Sequence, residues 1–369
     1  MAVAAMRCSI FCKIIDNLGD AGVSWRLARQ LHKAGIECTL LIDQLATLAQ
    51  LVPEININLS RQIQSGIHVH HWTQPTDPLA LLDHSLWIEC FACGWGEPVW
   101  QALAQCDTPP RLYLLDYLGT EAWVSGCHAL DSIHPRTGLR QRFWIPGFSR
   151  DTGGLLRESA METLPVAKER PADLPLPASD RLISLFCYAQ APLAGLLEYL
   201  HHENYSTTLV VFPGPSWQAL DQACQTLHLP TLSLTAPTQC AALCMQPLPL
   251  LHPTRYDQLL QQCDLNLVRG EDSFVRAHWA GRPLLWHAYP QPENAHLAKV
   301  CGWLAQRPSS PAFRHLQQVF NQGNATRHDY ANAFKELEAE SACVCAFRQQ
   351  LLQQTSLVER LLADTGLFQ

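Results

Sequence analysis

The sequence predicts an α/β protein of two domains with mainly parallel sheets, and three observations lead to this class. Short apolar, β-rich runs alternate with helical patterns, as in βαβ units. This alternation occurs twice, before about residue 150 and again from about residue 181. The length of 369 residues is also typical of two domains.

The composition indicates a soluble globular protein. Hydrophobic residues make up 47% and charged residues 16%, which favours sizeable cores over disorder. The net charge of −7 without a basic patch argues against a nucleic-acid partner, and no apolar run is long enough to predict a membrane span. The 15 cysteines lie mostly in apolar runs, and the start resembles no signal peptide, so we expect a reducing, cytoplasmic compartment.

Turn-rich and apolar segments predict the domain boundaries. The first α/β domain is expected over residues 1–150, and a linker rich in proline, glycine and charge over 151–180. The second α/β domain is expected over 181–345. A helical C-terminal segment over 346–369 follows, with packing back on the first domain as one possibility.

The loop after the first strand carries two carboxylates. Asp16 and Asp20 bracket a turn that contains Asn17 and Gly19, between a strand and a helix. Ligands of open parallel sheets bind at such strand ends. Two carboxylates on one loop can share a cation, a metal or a guanidinium; alternatively, Asp16 starts a turn and Asp20 caps the helix. A dinucleotide fingerprint is absent, which disfavours a nicotinamide-dependent oxidoreductase.

A second candidate is the turn RGEDS, where a strand passes into a helix. Free N–H groups at a helix start favour a diphosphate, and Arg269 or Arg276 could add charge and Ser273 a hydroxyl. Glu271 and Asp272 would repel phosphate, so they must face sugar hydroxyls, a cation or their own backbone. An ordinary acidic first turn is the alternative.

The segment LFCYAQAP places Phe186 and Tyr188 at the end of the first strand of the second domain, again at a binding edge. Alternatively, Tyr188 is a rim residue. Cys90 and Cys93 form a C-x-x-C motif without a second pair of matching spacing, so no metal site is predicted.

Five segments together resemble the bacterial protein-arginine rhamnosyltransferases that modify elongation factor P. They occur in order from about Phe11 to Gln291: FCKIIDNLGDAGVSWRLARQL, LLDYLGTEAWVSGCHAL, FWIPGFSRDTGGLLRE, LFCYAQAP and LVRGEDSFVRAHWAGRPLLWHAYPQ. The segments around DNLGD and RGEDSFVRA are long and specific.

The resemblance implies a glycosyltransferase B fold, in which two Rossmann-like domains face each other across a cleft. It also implies inverting transfer from dTDP-β-L-rhamnose to one arginine of elongation factor P, without a metal or another cofactor. The first domain would bind the acceptor and the second the nucleotide sugar. The residues that match the essential carboxylates are Asp16, Asp20 and Glu271. The predicted substrate-binding residues are Asn17, Gly19, Phe186, Tyr188, Leu250, Arg269, Gly270, Asp272 and Ser273.

The sequence departs from the family before YDQLL. Relatives carry an aromatic residue and a glutamine that hold the thymine, and Leu250 and Pro253 stand at the matching positions. We therefore expect aliphatic packing and backbone groups to hold the base.

Arginine is a poor nucleophile because its pKa lies about 9–10 units above that of an ordinary aspartate. Full deprotonation before attack is therefore implausible. We hypothesise that Asp20 accepts the proton as the N–C bond forms, while Asp16 holds the guanidinium by charge-assisted hydrogen bonds. Glu271 would position the rhamnose or the ribose.

Two alternatives stay open from the sequence. One is a related transferase that uses another nucleotide sugar or another protein acceptor, since the Leu250 region departs from the family. The other is a non-catalytic protein that only binds elongation factor P.

Overall fold

The computed structural model describes residues 6–15, 17–163 and 174–366, which fold into two compact units. Unit 1 comprises Met1–Glu158 and Gln354–Gln369, and unit 2 comprises Ser159–Gln353. No helix in the described part of the chain has the length and apolar character needed to cross a membrane.

The described residues of each unit form one sheet. The strands of unit 1 are β1 (Arg7–Cys12), β2 (Glu37–Ile42), β3 (Arg61–Gln64), β4 (Ile67–His71), β5 (Leu86–Cys90), β6 (Arg111–Leu115), β7 (Asp131–Ile133) and β8 (Arg140–Trp144). Those of unit 2 are β9 (Arg181–Leu185), β10 (Thr207–Val211), β11 (Thr238–Cys240), β12 (Leu243–Pro247), β13 (Leu265–Arg269) and β14 (Leu284–His287). The spatial orders are β3-β4-β2-β1-β5-β6-β8-β7 and β11-β12-β10-β9-β13-β14.

The helices follow the strands. In chain order they are α1 (Asn17–Lys33), α2 (Leu45–Leu51), α3 (Glu97–Ala104), α4 (Val124–Cys127), α5 (Ala194–His202), α6 (Pro215–Thr226), α7 (Pro253–Gln262), α8 (Asp272–Ala280), α9 (His296–Ala305), α10 (Pro311–Asn321), α11 (Arg327–Lys335), α12 (Leu337–Leu352) and α13 (Leu357–Thr365). Short 3-10 helices occupy Asp77–Leu81, Ser159–Met161 and Pro292–Asn294.

The sheets are mainly parallel, as predicted from the βαβ pattern. Strand β1 pairs in parallel with β2 and β5, and β9 pairs in parallel with β10 and β13. The antiparallel pairs among the described strands are β3–β4, β7–β8 and β11–β12, at the sheet edges. Cys8, Ile10, Phe11 and Cys12 of β1 are fully buried, because helices cover both faces of such a sheet.

The segment that follows residue 150 is not a linker at its start. Gly153 N–H donates to the carbonyl of Ile145 at 2.7 Å, and Leu155 and Leu156 are buried with unit 1. A Cβ atom on Gly153 would lie 2.7 Å from the Trp144 ring, so glycine is required for this close approach. The rest of the predicted linker falls partly on residues 164–173, which lie outside the described residues.

The C-terminal segment predicted over 346–369 divides between the two units. Helix α12 runs unbroken to Leu352 and belongs to unit 2, so unit 2 extends beyond residue 345. Helix α13 begins with a capping box of Ser356 and Glu359 and belongs to unit 1. Its apolar face is buried in the same core as β1: Leu357, Val358, Leu361 and Leu362.

We expect Leu361→Ala to destabilise unit 1 by about 2–5 kcal/mol, since the side chain is 1% exposed and its removal leaves a cavity. The decrease in the free energy of unfolding is measured by urea titration, with hydrogen exchange of unit 1 peptides as the readout. The matched control is Leu59→Ala, the same change at a side chain that is 49% exposed. Equal stability of the two variants would contradict a structural role for α13 in this core.

Candidate functional site

The first group of candidate residues lies at the carboxyl end of β1. Asp20 lies in the first turn of α1 and is only 2% exposed. Its Oδ2 accepts the N–H of Ile15 at 2.7 Å, and its carbonyl accepts the Ser24 hydroxyl at 2.8 Å. The carboxylate thus ties the loop before the helix to the first turn. Asp16 lies outside the described residues.

Other predicted residues of this loop fall on α1. Asn17 is the first residue of the helix and Gly19 lies in its first turn. The loop is held from two further sides: Asp43 accepts the N–H of Ile14 at 2.9 Å, and the Lys13 ammonium donates to the carbonyl of Cys93 at 3.0 Å. Within the described ranges, no group of three or more His, Cys, Asp or Glu side chains is placed to hold a metal ion.

The second group lies at the carboxyl ends of β9 and β13 in unit 2. The Arg269 guanidinium lies 4.5 Å from the ring centre of Phe186 and 5.0 Å from that of Tyr188. It also donates to the carbonyl of Cys187 at 3.4 Å. Aromatic faces and a carbonyl therefore hold the cation in a defined position.

The RGEDS turn is closed by its own hydrogen bonds. The Ser273 hydroxyl donates to the carbonyl of Arg269 at 2.5 Å and accepts the Arg269 N–H at 3.1 Å. Trp286 Nε1 donates to the carbonyl of Gly270, which has φ +57°. Glu271 follows at the N-cap position of α8 and is half-buried. Ser273 thus shapes the turn rather than offering its proton to a ligand.

Arg276 is committed to two carboxylates. Its Nε donates to Asp272 at 2.8 Å and its Nη1 to both oxygens of Asp257 at 2.9 Å, and the residue is 3% exposed. The sequence offered Arg269 and Arg276 equally as the charge for a phosphate, and the structure shows that Arg276 is already bonded to two carboxylates. Its bridge also balances the charge of Asp272, which would otherwise repel an anion.

Arg269 differs from Arg276 in having no carboxylate within 4.0 Å among the described residues. It lies immediately before the N-terminal turn of α8, where free N–H groups and the helix dipole favour an anion. A cation held by two aromatic rings and one carbonyl, with no carboxylate partner in the described part of the chain, is suited to bind a phosphate group.

An apolar surface adjoins this arginine. Leu250 and Phe186 are half-buried and pack with Tyr256 against a buried cluster that contains Leu182, Val210, Phe212, Leu248, Leu259 and Cys263. Pro253 is the first residue of α7. Sequence reasoning missed Tyr289, whose ring is 56% exposed and lies 5.3 Å from that of Tyr188. Its position just after β14, at the same sheet edge, could have indicated that Tyr289 lies near Tyr188.

A neutral histidine supports Tyr188 from behind. The Tyr188 N–H donates to Nδ1 of His287 at 3.2 Å, so this nitrogen carries no proton. Burial, aided by the charges of His296 and Arg269, lowers the pKa of His287 to about 3. The ring therefore keeps the acceptor state that holds the Tyr188 backbone.

Comparisons with known proteins agree on one family. Residues 8–364 match the family model described as Elongation-Factor P (EF-P) rhamnosyltransferase EarP. A protein-arginine rhamnosyltransferase of Pseudomonas aeruginosa is 40% identical over 306 residues, covering 80% of each chain. Another of Shewanella oneidensis is 35% identical over 310 residues, covering 79% of this chain and 78% of the relative.

Solved structures share the fold. One, described as the structural basis for EarP-mediated arginine glycosylation of translation elongation factor EF-P, superposes with a TM-score of 0.63 at 24% identity, covering 98% of this chain and 99% of the other. Spinosyn forosaminyltransferase SpnP superposes with a TM-score of 0.54 at 11% identity, covering 99% of each.

The two α/β units and these neighbours show that the fold is the glycosyltransferase B type, as predicted. The relatives at 35–40% identity show that the protein is a glycosyltransferase. The match along residues 8–364 narrows this class. The chain belongs to the EF-P rhamnosyltransferase family EarP.

Two of the buried histidines of unit 2, His278 and His287, predict a loss of stability in acid. Burial lowers the pKa of both His278 and His287 to about 3, below the value of about 6.5 in an unfolded chain. Stability is therefore complete above about pH 6.5 and falls as the pH drops towards 3, by about 1.4 kcal/mol per pH unit for each histidine.

Urea midpoints of unit 2 at pH 7.5, 6 and 5 measure this effect. A His278→Gln variant removes one titrating group, so its midpoint should depend less on pH than that of the wild type. A wild-type midpoint that stays constant over this range would contradict the neutral assignment.

Proposed function

We propose that this protein transfers L-rhamnose from dTDP-β-L-rhamnose to an arginine side chain of elongation factor P, with inversion at the anomeric carbon. The observation that carries the proposal is the match to relatives named protein-arginine rhamnosyltransferase over about four fifths of the chain. Because translation takes place in the cytoplasm, this acceptor implies a cytoplasmic enzyme.

Unit 2 would bind the donor. Arg269, which has no carboxylate within 4.0 Å among the described residues, and the start of α8 supply positive charge for the diphosphate. The same groups stabilise the charge that develops as the C1–O bond breaks and dTDP leaves. No metal is needed for this neutralisation in the proposed mechanism. Tyr188, with Tyr289 beside it, is placed to contact the same ligand.

The thymine would pack against the apolar surface formed by Phe186, Leu250 and Tyr256. These side chains are half-buried on the cluster beside Arg269 and offer a flat aliphatic and aromatic contact. The base would then be held by packing and by backbone groups near the start of α7. Glu271, at the N-cap of α8, would position hydroxyl groups of the rhamnose or the ribose.

Unit 1 would bind the acceptor through the acidic loop. In the transfer, an arginine nitrogen attacks C1, the C1–O bond to the diphosphate breaks, and the nitrogen gives up one proton. We assign that proton to Asp20, whose position is fixed by the Ile15 N–H and by the first turn of α1. Asp16 would hold the guanidinium beside it, which counters the charge of the cation before attack.

The central test is the intact mass of elongation factor P after incubation with the enzyme and dTDP-β-L-rhamnose. We expect one added deoxyhexose, localised to arginine by peptide mapping, and the opposite anomeric configuration by NMR. The same yield is expected in EDTA. No mass change despite binding would favour the non-catalytic alternative, and modification with UDP-glucose instead would favour the transferase of another sugar.

Asp20→Asn should separate proton transfer from donor binding. The amide oxygen can still accept the Ile15 N–H but cannot take a proton, so we expect transfer to fall at least about 100-fold while the Kd for dTDP changes little. The matched control is Asp43→Asn, which removes a carboxylate that accepts the neighbouring N–H of Ile14. A near-normal transfer rate for Asp20→Asn would remove this residue from the base role.

A further inference from the structure

The chain makes an unusual turn where β5 ends. Phe91 has φ +59° and Ala92 has φ +50°, and the Cys93 N–H donates back to the carbonyl of Cys90. Turns with both central residues at positive φ normally use asparagine and glycine, because a side chain makes this conformation costly. A phenylalanine held there indicates that its position matters more than local backbone energy.

Side chains around the turn compensate for its cost. The Lys13 ammonium donates to the carbonyls of Cys93 at 3.0 Å and Gly94 at 3.2 Å. The buried Glu89 carboxylate accepts the Gly94 N–H at 2.6 Å. The conformation is therefore fixed by ionic hydrogen bonds on both sides of the chain.

The turn places Phe91 against Tyr117. The two rings are stacked, with centroids 4.5 Å apart and an angle of 19° between their planes. Phe91 is 4% exposed, whereas Tyr117 is half-buried, so Phe91 forms the base of the stack. Beside it, Asp116 Oδ1 accepts the Tyr117 N–H at 2.8 Å, and no donor among the described residues reaches its Oδ2.

The strand register places this stack beside Asp20. Phe11 pairs with Glu89, so Cys12 is level with Cys90, which in turn pairs with Leu115. The acidic loop, the turn and the Tyr117 segment therefore leave the sheet at one level, on strands about 5 Å apart. The Cys12 thiol is 3.8 Å from the Asp20 carbonyl, which fixes the acidic loop at this edge.

We infer that the Phe91–Tyr117 stack is the platform on which the acceptor guanidinium lies; this rests on the proposed function. Arginine stacks readily on aromatic faces, while its N–H groups point outward in the plane. Those groups would then meet the carboxylates of Asp20 and Asp116. The nitrogen orbital that forms the new bond is perpendicular to this plane. Tyr117 thus covers one face of the guanidinium and leaves the other face open to C1 of the sugar.

A double-mutant cycle tests the platform. Binding of elongation factor P is measured for wild type and Tyr117→Leu, each with the normal acceptor and with an acceptor whose target arginine is alanine. We expect Tyr117→Leu to weaken binding of the normal acceptor about 2- to 30-fold and to leave binding of the alanine acceptor almost unchanged. Tyr117→Phe, which keeps the ring, should retain most of the affinity, and the Kd for dTDP should not change.

Equal weakening of both acceptors, or equal losses in Tyr117→Leu and Tyr117→Phe, would overturn the platform, because neither the guanidinium nor the ring face would then matter. Thermal melting of each variant separates misfolding from these outcomes. If wild type does not bind elongation factor P, the proposed acceptor fails. The platform is then tested with N-acetylarginine amide. Wild type should broaden the NMR lines of this compound, and Tyr117→Leu should not. Equal broadening by both proteins would overturn the platform.

Discussion

The register of parallel strands is the constraint on which both sets of candidate residues depend. Hydrogen bonding between β1, β5 and β6 aligns Cys12, Cys90 and Leu115, so the segments that follow emerge side by side. In unit 2, the pairing of β9 with β13 brings Phe186 and Tyr188 to the same edge as Arg269. Residues far apart in sequence thus become neighbours, and hydrogen bonds such as those of Lys13 with Cys93 and of Arg269 with Cys187 join them further. A slip of one residue would shift one strand end by about 3.3 Å relative to its neighbour and so separate these side chains.

In unit 2, ion pairing determines which charged side chains are left without a counterion among the described residues. One arginine, Arg276, satisfies two aspartates in a buried bridge, and this leaves Arg269 as a cation supported by two rings and one carbonyl. A buried bridge of this kind contributes little net stability, but it prevents Asp272 from opposing an anion at the helix start. The bridge therefore leaves Arg269 as the arginine to which we assign the diphosphate in the proposed function.

The sequence predicts much of this arrangement, and the failures have physical reasons. The βαβ pattern identifies β1, α1, β2, β9 and β13, because their apolar runs are long and regular. It cannot show that Arg276 is bonded to Asp257, because Asp257 comes from another helix. The Phe91–Ala92 turn escapes prediction as well, because no local signal marks a bulky residue at positive φ. The site assignments themselves remain predictions.

The position of helix α13 affects how the protein folds during its synthesis on the ribosome. Its leucines complete the core that contains β1, yet the whole of unit 2 is synthesised between the two segments. Unit 2 is continuous and can fold as it emerges, whereas the earlier unit must wait for the last helix with part of its apolar core uncovered. Unit 1 is thus begun first but completes its fold last. We expect unit 1 to be the part that needs a chaperone during synthesis.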